Sequence, residues 1–310
     1  MTRPTRGASL RWSLFAVAVA LLTWAVASQW EAVSAAAVDV GWGAIGLATL
    51  AAMAALGFNT LSWRAVMRSV GLHAPVVDAA SVFLVSQAGK YVPGAVWPVL
   101  AQSEFARAHG LSRTRGMTGS LVAMAVGVVT AGVVGTLGLV AWAPGALADY
   151  WWALVVVVVL ATLLVPAVLT RALRLGFTVM RRSAEPPTIM GRALLVSAAW
   201  SAANWLALGL QAWILLRILS PGTEGLWSLA TGAFALAWLA GFLVVFAPAG
   251  VGPREAALVV LLAAVATRPE ALALALISRF AMTLADAVGL GCGLLARRWR
   301  RDVPDHTAAL

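Results

Sequence analysis

Residues 151–165 read Trp-Trp-Ala-Leu-Val-Val-Val-Val-Val-Leu-Ala-Thr-Leu-Leu-Val, without one charged side chain. Comparable charge-free runs recur at 12–29, 41–63, 117–142, 193–216 and 226–247. Nothing else restricts the fold as strongly. In lipid, backbone N–H and C=O groups find no water, so they must be satisfied within a helix or around a closed barrel. Transmembrane barrels are built from short segments of alternating polarity, which these unbroken runs do not supply. The expectation is an all-α polytopic membrane protein. Charged residues make up 11% of the 310 positions, where a soluble domain carries roughly a quarter.

The runs predict one integral membrane domain with segments at 12–29, 41–63, 117–142, 151–170, 193–216, 226–247, 254–267 and 271–296, followed by a basic tail at 297–310. Ala25-Val-Ala27 also fits a signal-peptidase site, so a cleaved signal is the alternative reading of 12–29. That run is long for a signal core and more spans follow, which favours a retained first span. Between 76 and 106 two shorter apolar pieces flank Pro93-Gly94. Each piece would reach about 18–22 Å as a helix, short of the roughly 30 Å hydrocarbon core. Both outer ends are arginine-rich, so this stretch reads as a re-entrant hairpin. The expected architecture is about eight spans, the hairpin and a second broken helix.

Charge placement supports this topology. Arginines at 3–11, 64–68, 107–115, 171–192 and 297–301 make up 17 of the 22 basic residues. The hairpin puts all of these on one face, as the positive-inside rule requires; a full span at 76–106 would invert every later loop. Both termini are then expected to be cytoplasmic and the membrane to be the plasma membrane. The net charge of +10 is therefore read as a membrane-surface signal, not a nucleic-acid one. The single cysteine, Cys292, and scattered histidines at 73, 109 and 306 give no metal-ligand pattern. No cofactor motif is present. Gly41-Trp-Gly-Ala-Ile-Gly46 has dinucleotide-fingerprint spacing, but it opens a membrane segment with no strand before it. The glycines at 127–138 and 289–293 read as close helix packing.

Three cations remain inside apolar segments: Lys90, Arg254 and Arg279. Lys90 is the only lysine and stands beside Tyr91, one of two tyrosines. Because the chain otherwise uses arginine, a compact ammonium is expected to matter there. Gln87 and Ser86 share its helix face, and Glu104 is a candidate counter-charge. The second break is Pro248-Ala-Gly-Val-Gly-Pro-Arg-Glu255. Pro248 ends one helix, Gly250 and Gly252 allow unusual dihedrals, and Pro253 suits the first position of the next helix. Arg254 and Glu255 fall in its first turn, where free N–H groups and an arginine together suit an anion. Arg279 and Asp286 lie on one face of the last span, about 10 Å apart along the axis and too far to pair. Each needs a partner elsewhere, Glu255 being the candidate for Arg279. These charges can also be read as structural ion pairs that fix helix register. Interrupted helices in the two halves of a transporter point to a site between inverted repeats, although no residue-level repeat is evident.

The two breaks resemble the lysylphosphatidylglycerol synthase transmembrane, or flippase-like, family. Its Gly-Lys-Tyr-hydrophobic-Pro-Gly-x-x-Trp stretch is matched by residues 89–97. Its Pro-x-Gly-hydrophobic-Gly-x-Arg-Glu stretch is matched by residues 248–255, and its last-span Arg and Asp by Arg279 and Asp286. Pro253 departs from many members. The resemblance implies a multi-pass bacterial or archaeal membrane protein that moves an amphipathic lipid. The aminoacyl transfer of bifunctional relatives belongs to a separate soluble domain that this sequence does not contain.

The leading expectation is thus a lipid translocase without its own catalytic chemistry. Lys90 and Arg254 would contact a phosphate, with Tyr91, Gln87, Glu255, Arg279 and Asp286 orienting it and balancing charge. No ATP-binding motif is present, so movement would run downhill or follow a gradient. Membrane lipids are the expected partners, together with an envelope-lipid glycosyltransferase or aminoacyltransferase. The alternatives are a membrane-embedded transferase acting on a lipid carrier, with Glu31 and Asp39 as its only external acids in the first loop, or a non-catalytic scaffold.

Overall fold

The computed structural model describes residues 30–91, 97–147, 151–179, 186–244 and 250–302, and every regular element among them is helical. The expected first span 12–29, the hairpin tip at Pro93-Gly94, Pro248 and most of the basic tail lie outside the described residues. The helices are α1 (Trp30–Ser69), α2 (Val76–Ser86), α3 (Trp97–Ala108), α4 (Arg113–Trp142), α5 (Trp151–Thr162) and α6 (Pro166–Val179). There follow α7 (Gly191–Leu219), α8 (Leu226–Leu243), α9 (Pro253–Leu261) and α10 (Arg268–Asp302). Five of them, or six if the bent α5–α6 pair counts as one span, are long and apolar enough to cross a membrane.

Two boundaries differ from the sequence reading. The expected loop before residue 41 is helical, and α1 kinks at Gly41, where φ is 71°. The expected span 151–170 is divided, because α5 stops at Thr162 and α6 leaves at a 70° angle. Pro166 starts the new helix, and as a residue without an N–H it suits a first turn and breaks a helix interior.

The packing is set by small residues and by hydroxyls that bond across helices. α1 lies antiparallel to α7: Ser62 Oγ meets Ser197 Oγ at 2.9 Å, and Phe58 stacks on Trp200 at 5.7 Å. α4 crosses α8 so closely that a Cβ at Gly138 would stand 2.8 Å from the Gly232 nitrogen. On α10, Gly289 and Gly293 face α1 and α2: a Cβ at Gly289 would meet the Leu56 side chain at 2.8 Å, and one at Gly293 the Ser81 carbonyl at 2.9 Å. A hydrophobic core rich in alanine and leucine joins α1, α4, α7, α8, α9 and α10. A second core, at one end, joins the C-terminus of α1 to α2, α3, α4 and the start of α7.

That second end is the arginine-rich one. Gly119 on α4 packs on Met67 of α1 and on Val70 just after it. Leu194, just inside α7 after Arg192, belongs to the same core. Arg297 shares a groove with Asp78 and His109. At the opposite end Ser220 Oγ donates to the Val265 carbonyl at 2.6 Å, and Arg217 lies 5.0 Å from the Trp213 ring. Arg268 opens α10 there.

The two broken elements enter from these opposite ends. α2 and α3 form an antiparallel pair whose outer residues Asp78 and His109 lie at the arginine-rich end. Its inner ends meet at Gly89, where a Cβ would stand 2.9 Å from the Trp97 Cβ. α8 and α9 come from the other end. The nine residues of α9 cover about 13 Å, less than half the hydrocarbon core. Gly250 has φ 71° and Gly252 φ 93°, a region open to glycine and closed to most side chains. Gly250 also lies against Gly241, where a Cβ on either residue would crowd the other backbone at 3.1–3.2 Å. The turn therefore folds back onto α8 within the bundle.

Candidate functional site

α10 supplies the ruler for depth. From Arg268 to Arg297 it rises about 43 Å, and Arg279 and Asp286 stand about 5 Å to either side of the midpoint. Each broken element reaches one of them. From the first, Lys90 Nζ lies 2.9 Å from Asp286 Oδ1 and 2.7 Å from Oδ2, and Tyr91 donates its hydroxyl to Oδ2 at 2.5 Å. From the second, Glu255 Oε1 accepts from Arg279 Nε at 2.9 Å and from its Nη2 at 2.5 Å. The other Glu255 oxygen accepts the Gly252 N–H at 2.6 Å, which caps α9. Pro253 takes the first position of that helix and leaves one fewer free N–H there.

Glu104 does not balance Lys90. It pairs with Arg107 at 2.9 Å and Arg113 at 3.2 Å. The reason is geometric: α3 runs outward from the tip, so Glu104 is carried to the arginine-rich end while Lys90 stays deep.

Arg254 is treated differently from the other two cations. It is 6% exposed, yet no carboxylate pairs with it among the described residues. Its guanidinium lies 4.5 Å from the Phe234 ring, and Nη2 is 3.2 Å from Met282 Sδ. A ring face and a thioether soften the burial of a cation without neutralising it.

These groups surround one cavity of about 300 Å³ between α1, the α2–α3 hairpin, α4, α7, α8 and α10. Gln87, Lys90, Tyr91, Gly250, Arg254, Arg279 and Asp286 line it, whereas Glu255, Gly252 and Pro253 stand behind the lining. Lys90 is about a third exposed. Three uncharged polar side chains that were not singled out from sequence also line the cavity: Asn59 on α1, Gln102 on α3 and Asn204 on α7. A compositional signal was available, since Asn59 and Asn204 are the only asparagines in the chain. Trp205 also lines the cavity; its indole N–H is held by the Gly127 carbonyl at 3.2 Å and Thr130 Oγ1 at 3.1 Å. Trp205 is buried and makes an edge contact with Trp238 at 4.8 Å, whereas Trp97 at the start of α3 is half-exposed.

A cavity flanked by two interrupted helices, with both motif segments contributing to it, is also where the sequence comparison carries most meaning. The pattern of the family described as Lysylphosphatidylglycerol synthase TM region matches residues 12–289, which includes every lining residue. The chain belongs to that family. The lysylphosphatidylglycerol synthase TM region is thus a multi-helix membrane unit here, and the match places the chain among membrane proteins related to lipid modification or translocation. A search among curated proteins finds no match to the chain.

Proposed function

We propose that the protein is a flippase-like lipid translocase whose midplane cavity receives the phosphate of an amphipathic lipid. One observation carries this reading: Arg254, buried and without a carboxylate partner among the described residues, faces a cavity between two broken helices. A charge at that depth costs about 2.5–3.5 kcal/mol on insertion scales and marks function by default. An arriving phosphate supplies the missing counter-charge. Lys90 and Arg279 already hold carboxylates and shape the field around it, while Tyr91 and Gln87 orient the ligand.

The opposite approach of the two hairpins, and their near-symmetric landing on α10, supports an inverted-repeat relation. The gathering of arginine at one end supports a cytoplasmic assignment for that end and a plasma-membrane location. Counting α8 and α9 as two spans or as one re-entrant hairpin leaves the parity unchanged, so the eight-span reading and both cytoplasmic termini stand together. The protein would serve an envelope-lipid enzyme as its partner. The test is transport of a fluorescent phospholipid in proteoliposomes by wild type, Lys90→Ala and Arg254→Ala. Wild-type transport above protein-free vesicles, lost in Arg254→Ala, is expected; equal rates in all samples reject the translocase.

A further inference from the structure

The helix that follows the bend at Thr162 stands apart from the cavity, since no residue of α6 lines it. At about 100° per residue, its sequence divides the helix surface into three faces. Leu169 and Leu173 turn inward and pack on the second core. Val168, Ala172, Leu175 and Val179 form an apolar face turned away from that core, on which Leu175 is 66% and Val179 75% exposed. Thr170, Arg171, Arg174 and Thr178 form the third, polar face.

Contacts within the protein do not account for this helix. Among the described helices none packs along its length. It has 14 residues, a length at which an isolated helix in water is marginal, so it needs a further surface. The bend gives its orientation. α5 carries no charged residue, and with α5 across the bilayer the 70° turn lays α6 nearer to the membrane plane than to its normal. Its core contacts place it at the arginine-rich end. Continuing into the bilayer would instead carry Arg171 and Arg174 into hydrocarbon, which is costly. A helix lying in the interface avoids this: its apolar face enters the acyl boundary and its polar face meets the headgroups.

Charge indicates which lipids cover it. Arg171 and Arg174 are exposed, and neither pairs with a carboxylate among the described residues. Residues 166–192 contain five arginines and one acid, Glu185. Such a basic surface favours headgroups of net negative charge over zwitterionic ones. We infer that α6 is an interfacial helix docked on the anionic phospholipids of the leaflet at the arginine-rich end. Arg171 and Arg174 bind headgroup phosphates there, while Leu175 and Val179 enter the acyl boundary. This surface is separate from the cavity and does not depend on what the cavity receives.

Single-cysteine proteins in lipid nanodiscs test this. Cys292→Ser removes the native cysteine, which is exposed and the only one in the chain. A fluorophore is then attached through Ala172→Cys on the apolar face, Thr178→Cys on the polar face or, as a reference on α1, Leu50→Cys, whose leucine is 61% exposed. The discs hold phosphatidylcholine and phosphatidylglycerol, and a nitroxide quencher is carried on the upper acyl chain of one or the other. The label at 172 should be shielded from the aqueous reductant dithionite and the label at 178 open to it. Nitroxide phosphatidylglycerol should quench the label at 172 as if enriched about fivefold over nitroxide phosphatidylcholine, the effect of one arginine near an anionic surface. The label at 50 should show no preference. Arg171→Gln combined with Arg174→Gln should bring the ratio at 172 down to that at 50 while the shielding remains. If the Ala172→Cys protein fails gel filtration, Val179→Cys replaces it. A label at 172 reduced as fast as the label at 178 overturns the docking on the membrane, and is the result a soluble partner on this face would give. Equal quenching by the two lipids, or an enrichment that survives the double variant, overturns the selection of anionic lipid.

Discussion

The two broken elements reach α10 from opposite ends, and they handle their cations in opposite ways. The first brings Lys90 and Tyr91 together onto Asp286, so its charge arrives already balanced. The second brings an arginine and a glutamate on adjacent positions, but α10 claims the glutamate through Arg279. Arg254 is left with Phe234 and Met282. Similar backbone devices, a helix break and a glycine contact, thus give a closed ion pair on one side and an unspent charge on the other. The difference teaches that the depth of a charge does not by itself mark a binding group; what its neighbours have already claimed does.

Removing Glu255 should break the contrast most completely. Glu255→Ala strips Arg279 of this carboxylate and α9 of its cap. Breaking a buried pair from one side costs about 3–5 kcal/mol, and thermal unfolding in detergent should show the largest loss here. Lys90→Met disturbs the other side less, because the lysine is partly exposed and Tyr91 still donates to Asp286; a loss of about 1.5–3 kcal/mol is expected. Adding Asp286→Asn to that variant should recover part of it, since the orphaned carboxylate is then neutral. Arg254→Gln should cost no stability while lipid binding falls, because the wild-type guanidinium has no ion pair to lose. The smallest effect belongs to the surface: Glu104→Ala removes two exposed arginine contacts and should change unfolding by under about 1 kcal/mol.

Much of this arrangement is legible in the sequence because membrane helices follow simple rules. Charge-free runs give the helical class, and Gly250, Gly252 and Pro253 mark the turn that opens α9. The spacing of Arg279 and Asp286 implies separate partners, and Glu255 was the available acid for Arg279. The partner of Lys90 was not legible. Asp286 lies 196 positions away, and only tertiary packing decides that the tip meets α10 and not Glu104 on its own hairpin. The bend after Thr162 was hidden for a different reason: the run 151–170 is apolar throughout, so hydropathy gives no sign that Pro166 starts a new helix. Asn59 and Asn204 went unread as cavity residues because they sit far apart in the chain, inside runs that hydropathy treats as uniform.

The central claim is that the cavity holds one uncompensated positive charge, on Arg254, and that this charge binds the lipid phosphate. The direct measurement is the affinity of purified wild type and Arg254→Gln for dioctanoyl phosphatidylglycerol, taken alongside their unfolding temperatures. The account predicts binding at least about tenfold weaker in the variant, with an unfolding temperature equal to or above that of wild type. Undiminished affinity in a folded Arg254→Gln protein would contradict it.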